Sequence, residues 1–240
     1  MRSVIVTGGS RGLGLDIVRR LAVNGYRAVA IARRMSDELA EVVESTPAST
    51  SFVPIDLGDV DAIPKFVKGL YKGFGPIHGL VNNAALGSEG ALAMMANSQF
   101  ESLIRLNTLS PIVLTKYVVR RMMSDGGGRI VNVASITAFT GYSGLSVYAA
   151  TKSSMVGFTR SLAREVGRLG VNVNAVAPGF MDTEMTKNMD ADRRAQIARR
   201  SALRRFPSTE DVADAVEFLL GDKSKSITGT VMTVDAGTTA

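Results

Sequence analysis

The sequence has no cysteine and no tryptophan, and it has a single histidine, His78. Without thiols, disulfides, thiolate metal sites and cysteine nucleophiles are excluded together, and one imidazole cannot build a histidine-rich metal site. No metal site is therefore expected, and any chemistry falls to hydroxyl, amine and amide groups. No apolar run approaches the roughly 20 residues needed to span a bilayer. The first strand pattern begins by Ser3, which leaves no room for the charged region, apolar segment and cleavage site of a secretory signal. A soluble protein is expected, with the cytoplasm as its default location. Lys and Arg exceed Asp and Glu by 28 − 22 = +6, a balance that suits a phosphorylated cofactor, an acidic partner protein or a mixed solvated surface. No basic stretch is interleaved with aromatics, so nucleic acid ranks last among the partners.

What is present is a regular alternation. Apolar, β-branched runs recur at RSVIVT (2–7), YRAVAIA (26–32), SFVPID (51–56), IHGLVNN (77–83), RIVNVAS (129–135), VNVNAVAP (171–178) and TVMTVD (230–235). Helical patterns of about ten or more residues separate most of them, which predicts a parallel sheet covered on both faces. The expected fold is α/β, a Rossmann-type doubly wound sheet of seven strands in a single domain spanning 1–240. The final helix should start at Ser208 or Thr209, with Glu210 and Asp211 in its first turn, and end near Gly221. The weakly patterned stretch 179–206, which carries three arginine pairs, reads as a substrate lid.

Two groups of residues carry chemistry. Thr7–Gly14 reads TGGSRGLG between the first strand and the first helix. Glycines there allow a tight turn and close approach of backbone to a dinucleotide, whose pyrophosphate gains from free N–H groups at a helix start. Further on, Tyr148 and Lys152 are four apart in a helical stretch, so both rise from one face about a turn apart. A nearby ammonium favours ionisation of a phenol whose ordinary pKa is ~10, which suits proton exchange with an alcohol oxygen. Ser135 precedes Tyr148 by thirteen residues and leaves the fifth strand at the end where ligand crevices form.

With TGGSRGLG, Ser135, Tyr148 and Lys152 taken together, the chain resembles the short-chain dehydrogenases/reductases from Val4 to Gly237. The resemblance implies NAD(P) bound by Gly8, Ser10, Arg11, Gly12, Leu13 and Gly14, by Asp56 and Leu57 beside the adenine, and by Asn83, Ala84 and Ala85 after the fourth strand. Pro178, Gly179, Met181 and Thr183 match positions near the nicotinamide. Arg33 and Arg34 follow the second strand, where an acidic residue would bind a ribose 2′-hydroxyl and arginine accommodates a 2′-phosphate. With Arg11 they favour NADPH/NADP+ over NADH. Ala85 departs from the family, which usually has glycine there, and it is compatible with binding if its φ is negative. Catalytically, the resemblance makes Tyr148 the proton donor, Ser135 a second donor to the same oxygen, and Lys152 both a tuner of Tyr148 and a contact of the nicotinamide ribose, a contact Tyr148 shares. Asn107 matches an asparagine of a proton relay. Its other reading is a helix-kink asparagine bonded to backbone. His78 reads as a partly buried structural residue.

Within that family the pattern is most similar to reductases of 3-oxoacyl-acyl carrier protein, through 148–166, 171–186 and 227–237. Reduction of another small ketone, sugar or cyclic alcohol, and a non-catalytic cofactor-binding regulator, are the alternatives. An acidic acyl carrier protein would be met by basic residues: Arg120, Arg121, Arg129, Arg168 and the pairs 193/194, 199/200 and 204/205 are candidates, as are solvated helix faces. Family members are commonly tetramers, and Val147, Met155, Phe158 and Leu162 supply apolar surface on the Tyr148 helix, so a homotetramer is expected, with a monomer as the other reading.

Overall fold

The computed structural model describes residues 1–182 and 191–240, apart from the side chains at 191 and 193. Seven strands, β1 (Arg2–Thr7), β2 (Tyr26–Ala32), β3 (Thr50–Pro54), β4 (Ile77–Asn82), β5 (Gly128–Val133), β6 (Val171–Pro178) and β7 (Val231–Val234), form one parallel sheet in the order 3-2-1-4-5-6-7. The expected fold class is found. The predicted strand ranges agree within one or two residues, because continuous Val/Ile/Ala runs are what a sheet buried on both faces demands.

Alternate side chains go to opposite faces. Val4 and Val6 join a core with Leu13, Ile17, Leu21, Val212, Val216 and Leu219, under α1 (Gly12–Val23) and α8 (Thr209–Leu220). Ile5 enters the other core with Val67, Leu70, Leu114, Val118 and Leu162, under α3 (Ile63–Phe74), α5 (Ser110–Ser124) and α6 (Ser146–Val166). The remaining helices are α2 (Asp37–Ser45), α4 (Asn97–Ile104) and α7 (Ala191–Arg200). Ser208 is the cap of α8: its hydroxyl accepts from Asp211 N at 3.1 Å, while the Asp211 carboxylate accepts from Ser208 N at 2.9 Å.

Three readings of the sequence change. The stretch 179–206 is not irregular throughout, since 191–200 is helical. Its sequence ADRRAQIARR has one large apolar side chain, Ile197, too few to make a visible stripe. Residues 183–190, and with them Thr183, lie outside the described residues. Met155 and Leu162 face the protein's own core at 3 % and 7 % exposure, and Phe158 packs against the same core. These side chains therefore give no reason for a second copy. Finally, each helix runs antiparallel to the strands, so the C-terminal end of α5 and the turn after α6 return to the strands' N-terminal edge. Arg120, Arg121, Arg129 and Arg168 thus lie at the opposite edge from this chain's own glycine-rich turn.

Candidate active site

Parallel strands put all their C-terminal ends on one edge, and the strand order reverses there between β1 and β4, where open α/β sheets leave a crevice. Onto this edge come the turn 8–11 after β1, Arg33 and Arg34 after β2, Asp56 and Leu57 after β3, Asn83–Ala85 after β4, Ser135 after β5 and Gly179–Met181 after β6. All described site residues of the sequence reading thus gather at or beside one crevice.

The glycine-rich turn is built without slack. Gly8 and Gly12 have φ of +65° and +52°, a region that favours glycine. A Cβ on Gly14 would lie 2.1 Å from the Gly8 carbonyl oxygen and 2.6 Å from Asn83 Nδ2. The N-terminus of α1 has no side-chain cap and no acidic residue in its first turn, leaving its amides available to an anion. Thr7 holds the turn from below: its Oγ1 accepts from Asn83 N and Ala84 N, both at 2.8 Å, and its carbonyl accepts from Asn83 Nδ2 at 2.9 Å. Asn83 therefore braces the turn with its side chain. Ala85 is not among the residues with positive φ, so its methyl group is tolerated. Asp56 Oδ1 accepts from Gly58 N at 2.9 Å and shapes its own turn, with Leu57 buried behind it.

On the other side of the crevice, α6 presents Tyr148 in its first turn and Lys152 one turn on. Lys152 is 4 % exposed; its Nζ lies 5.7 Å from the Tyr148 ring centroid and donates to Val133 O at 2.9 Å. Ser135 Oγ accepts from Thr137 N at 3.2 Å and lies close enough to the Tyr148 hydroxyl to favour its ionised form. The expected lowering of the phenol pKa by the ammonium is not found. Desolvation pushes Tyr148 up to about 12, offset only in part by Ser135, and burial brings Lys152 down to about 8. Lys152 is buried and Tyr148 half-buried, and desolvation penalises the charged form of each. Tyr148 therefore keeps its proton at neutral pH.

Asn107 sits in Arg105–Leu109, a single π-helical turn between α4 and α5, a form frequent at functional sites. Its Oδ1 accepts from Leu86 N, and its Nδ2 donates to Leu86 O, both at 2.8 Å, and to Thr151 Oγ1 at 3.2 Å. The side chain is thus bonded to backbone, but across the crevice loop and not within its own helix. Missed in the sequence were Thr7, Thr151 and a buried chain beneath the site. In that chain Asn82 Nδ2 donates to Thr115 Oγ1 and Asn132 Oδ1, and Asn132 Nδ2 donates to Thr159 Oγ1. Asparagine at the paired positions 82 and 132, each directly after an apolar pair, Leu80–Val81 and Ile130–Val131, was the available signal. His78 is structural: Nε2 is 3.0 Å from Leu220 O, its ring stacks on Tyr26, and burial lowers its pKa.

The short chain dehydrogenase family profile matches residues 2–194. The chain belongs to this family. Among its relatives, the human 3-oxoacyl-[acyl-carrier-protein] reductase is 38% identical over 232 residues, covering 97% of this chain and 95% of the relative. The Escherichia coli K12 reductase of the same name, FabG, is 34% identical over 233 residues, with the same coverage. A gluconate 5-dehydrogenase from Burkholderia cenocepacia, solved in complex with NADP and tartrate, superposes with a TM-score of 0.95 at 26% identity, covering 99% of this chain and 95% of that one. Membership makes the chain an oxidoreductase acting on carbonyl and alcohol groups.

Burial of Lys152 has a measurable consequence. Its pKa of about 8 in the fold lies below the 10.5 of the exposed side chain. Holding the ammonium at pH 7 therefore costs on the order of 3 kcal/mol, at about 1.4 kcal/mol per pH unit. The penalty is complete below pH 8. Between 8 and 10.5 the unfolded chain binds more protons than the folded one, so stability rises with pH. Above about pH 10 the raised Tyr148 acts in the opposite direction, because its phenol ionises first in the unfolded chain. The Tm of the ligand-free protein is expected to climb from pH 7 to 9.5, and Lys152→Met is expected to flatten that climb and to raise Tm at pH 7. Parallel melting curves for the two proteins would expose a wrong sign.

Proposed function

We propose that the protein reduces 3-oxoacyl thioesters, carried on an acyl carrier protein or coenzyme A, to 3-hydroxyacyl thioesters. The cofactor is NADPH/NADP+. The residues fit it: the Gly8–Gly14 cradle would be filled by a single added Cβ at Gly14, the α1 N-terminus is uncapped, and Arg11, Arg33 and Arg34 are exposed beside it on a chain with no acidic residue at 33 or 34. NADPH, when bound, supplies the reducing equivalent that a carbonyl carbon accepts. Arg33, with Arg11, would take the 2′-phosphate through bidentate guanidinium contacts.

The observation that carries this reading is the placement of the Tyr148 hydroxyl beside Ser135 and one helical turn from the buried Lys152. Tyr148 gives its proton to the oxygen on which negative charge develops, and Ser135 donates a hydrogen bond to that oxygen. Lys152, while it remains an ammonium, stabilises the phenolate left behind and would reach the nicotinamide ribose. Asn107, by clamping Leu86 and Thr151, keeps the β4 loop and α6 in register around that pocket. Thr151 Oγ1 in turn donates to Tyr148 O at 2.7 Å.

An acyl substrate is supported by the exposed apolar side chains that follow β4 and β5, Leu86, Leu92, Met94 and Phe139, and by the edge-to-face rings of Tyr142 and Phe180 at 5.2 Å. A sugar acid would gain little from them. The second reading, a small polyol or ketone, draws on the close superposition with the gluconate 5-dehydrogenase. Arg194, Arg199, Arg200, Arg204 and Arg205, on or just after α7, are the basic residues placed to meet an acidic carrier on the crevice side. We place the protein in the cytoplasm as a homotetramer; the exposed Ile104, just before the π-helical turn, and Leu109, its last residue, are apolar surface that a second copy would cover. Among the described residues no helix is long and apolar enough to cross a membrane.

Steady-state reduction of acetoacetyl-CoA and longer 3-oxoacyl thioesters, set against gluconate, sugars and cyclic alcohols in both directions, tests the substrate class. NADPH oxidation confined to the second group would replace the first reading by the second. For the preferred thioester, kcat/KM should fall as pH rises through about 8, where Lys152 loses its proton in the free enzyme.

A further inference from the structure

The three arginines that favour the phosphorylated cofactor sit on two separate segments, Arg11 in the turn after β1 and Arg33 with Arg34 in the segment after β2. The roots of these segments are joined by backbone, through Gly8 N and Gly9 N to Ile31 O at 2.8 and 3.4 Å. Their far ends are joined by a side chain. Ser36 Oγ donates to the carbonyl of Ser10, the residue before Arg11, at 2.5 Å, and accepts from Leu39 N at 3.2 Å as the N-cap of α2. One hydroxyl therefore fixes where α2 starts, and so where the segment that carries Arg33 and Arg34 ends, while anchoring that point to the turn that carries Arg11.

We propose that Ser36 is a positioning residue for cofactor choice: it holds the two arginine-bearing segments at the separation at which their guanidinium groups converge on the 2′-phosphate, without touching the phosphate itself. Its single proton goes to Ser10 O and its oxygen to Leu39 N, so its direct partners are protein groups. The start of α2 is a poor phosphate site in its own right, because Asp37 and Glu38 occupy its first turn. The attraction must come from the guanidinium groups themselves, and less reorganisation is needed on binding when their backbones are already in place. A dinucleotide without the 2′-phosphate makes no such demand. The inference rests on the assignment of Arg33 to the phosphate.

The test is equilibrium binding, independent of turnover. Dissociation constants for NADPH and NADH are measured by fluorescence titration for the wild type, Ser36→Ala, Ser36→Thr and Arg33→Ala, with a melting curve for each. Ser36→Ala is expected to weaken NADPH by about three- to tenfold, the scale of one lost capping hydrogen bond, and to leave NADH within about twofold. Ser36→Thr, which retains a hydroxyl able to cap and to donate, is expected to bind both as the wild type does. Equal weakening of the two dinucleotides by Ser36→Ala would reduce Ser36 to a structural cap and overturn the inference, as would an unchanged NADPH constant or a Ser36→Thr protein that behaves like Ser36→Ala. If Arg33→Ala leaves the ratio of the two constants unchanged, the arginine assignment falls and takes the inference with it. If Arg33→Ala collapses the ratio and Ser36→Ala does not, only the inference falls.

Discussion

Tyr148→Phe is expected to lower kcat for carbonyl reduction by about three orders of magnitude, within the range of roughly 10²–10⁴ that a positioned proton donor contributes. The substitution removes one oxygen and keeps the ring. Lys152 Nζ, hydrogen-bonded to Val133 O and 5.7 Å from the ring centroid, has no reason to move. NADPH affinity is therefore expected to stay within a few-fold of the wild type, so the loss appears in kcat and not as a failure to load cofactor. Removing a hydroxyl that desolvation holds protonated also removes its share of the alkaline decline in stability above about pH 10. Single-turnover rates at saturating NADPH, read beside a binding titration, decide the matter. A variant that retains a tenth of wild-type kcat would mean that the proton comes from elsewhere.

Gly14→Ala is expected to cost binding and folding together. The new methyl carbon would stand 2.1 Å from the Gly8 carbonyl oxygen and 2.6 Å from Asn83 Nδ2. Neither partner can yield cheaply, because Gly8 is fixed by its bond to Ile31 O and the Asn83 amide is bonded to Thr7 O. Relief requires the turn to shift off α1, with an overpacking penalty of about 1–3 kcal/mol and loss of the close backbone approach a pyrophosphate needs. NADPH affinity should fall by at least about tenfold, since 1.4 kcal/mol of lost contact is tenfold in Kd. Gly69→Ala is the control. That glycine lies exposed within α3 with nothing within 4 Å of an added Cβ, so alanine should stabilise the helix by up to about 1 kcal/mol and leave NADPH binding alone. Equal behaviour of the two variants in denaturant melts and titrations would show that crowding at position 14 is not what the turn resists.

How much of this was legible beforehand can be read residue by residue. The strands were visible because a sheet covered on both faces needs unbroken runs of Val, Ile and Ala, a local signal that survives without any knowledge of neighbours. The end of the last helix at Gly221 and its cap at Ser208 were visible for the same reason: caps act over three or four residues. The helix 191–200 was not, because it has one large apolar side chain and no stripe to betray it. Nor was the burial of Met155 and Leu162. A helix of 21 residues lying on a sheet presents apolar side chains whose destination, own core or second copy, depends on how it is rotated about its axis.

The site divides in the same way. The order and spacing of Gly8, Gly12, Gly14, Ser135, Tyr148 and Lys152 lie in the chain itself, and so does the choice of arginine over an acidic residue at 33 and 34. Parallel strands with right-handed crossovers then leave only one edge on which these groups can meet. The tertiary structure decided the direction of the pKa shifts. Whether an ammonium four residues from a phenol lowers its pKa depends on how much water reaches both, and here desolvation dominates, so Tyr148 rises while Lys152 falls. It also decided which polar side chains brace the site and which face the crevice. The bonds Thr7 makes to Asn83 and Ala84, Asn107 makes to Leu86, and Ser36 makes to Ser10 join residues 21 to 77 positions apart. A hydrogen bond across such a loop exists only once packing has brought both ends together, which is why these residues look ordinary in the sequence and central in the fold.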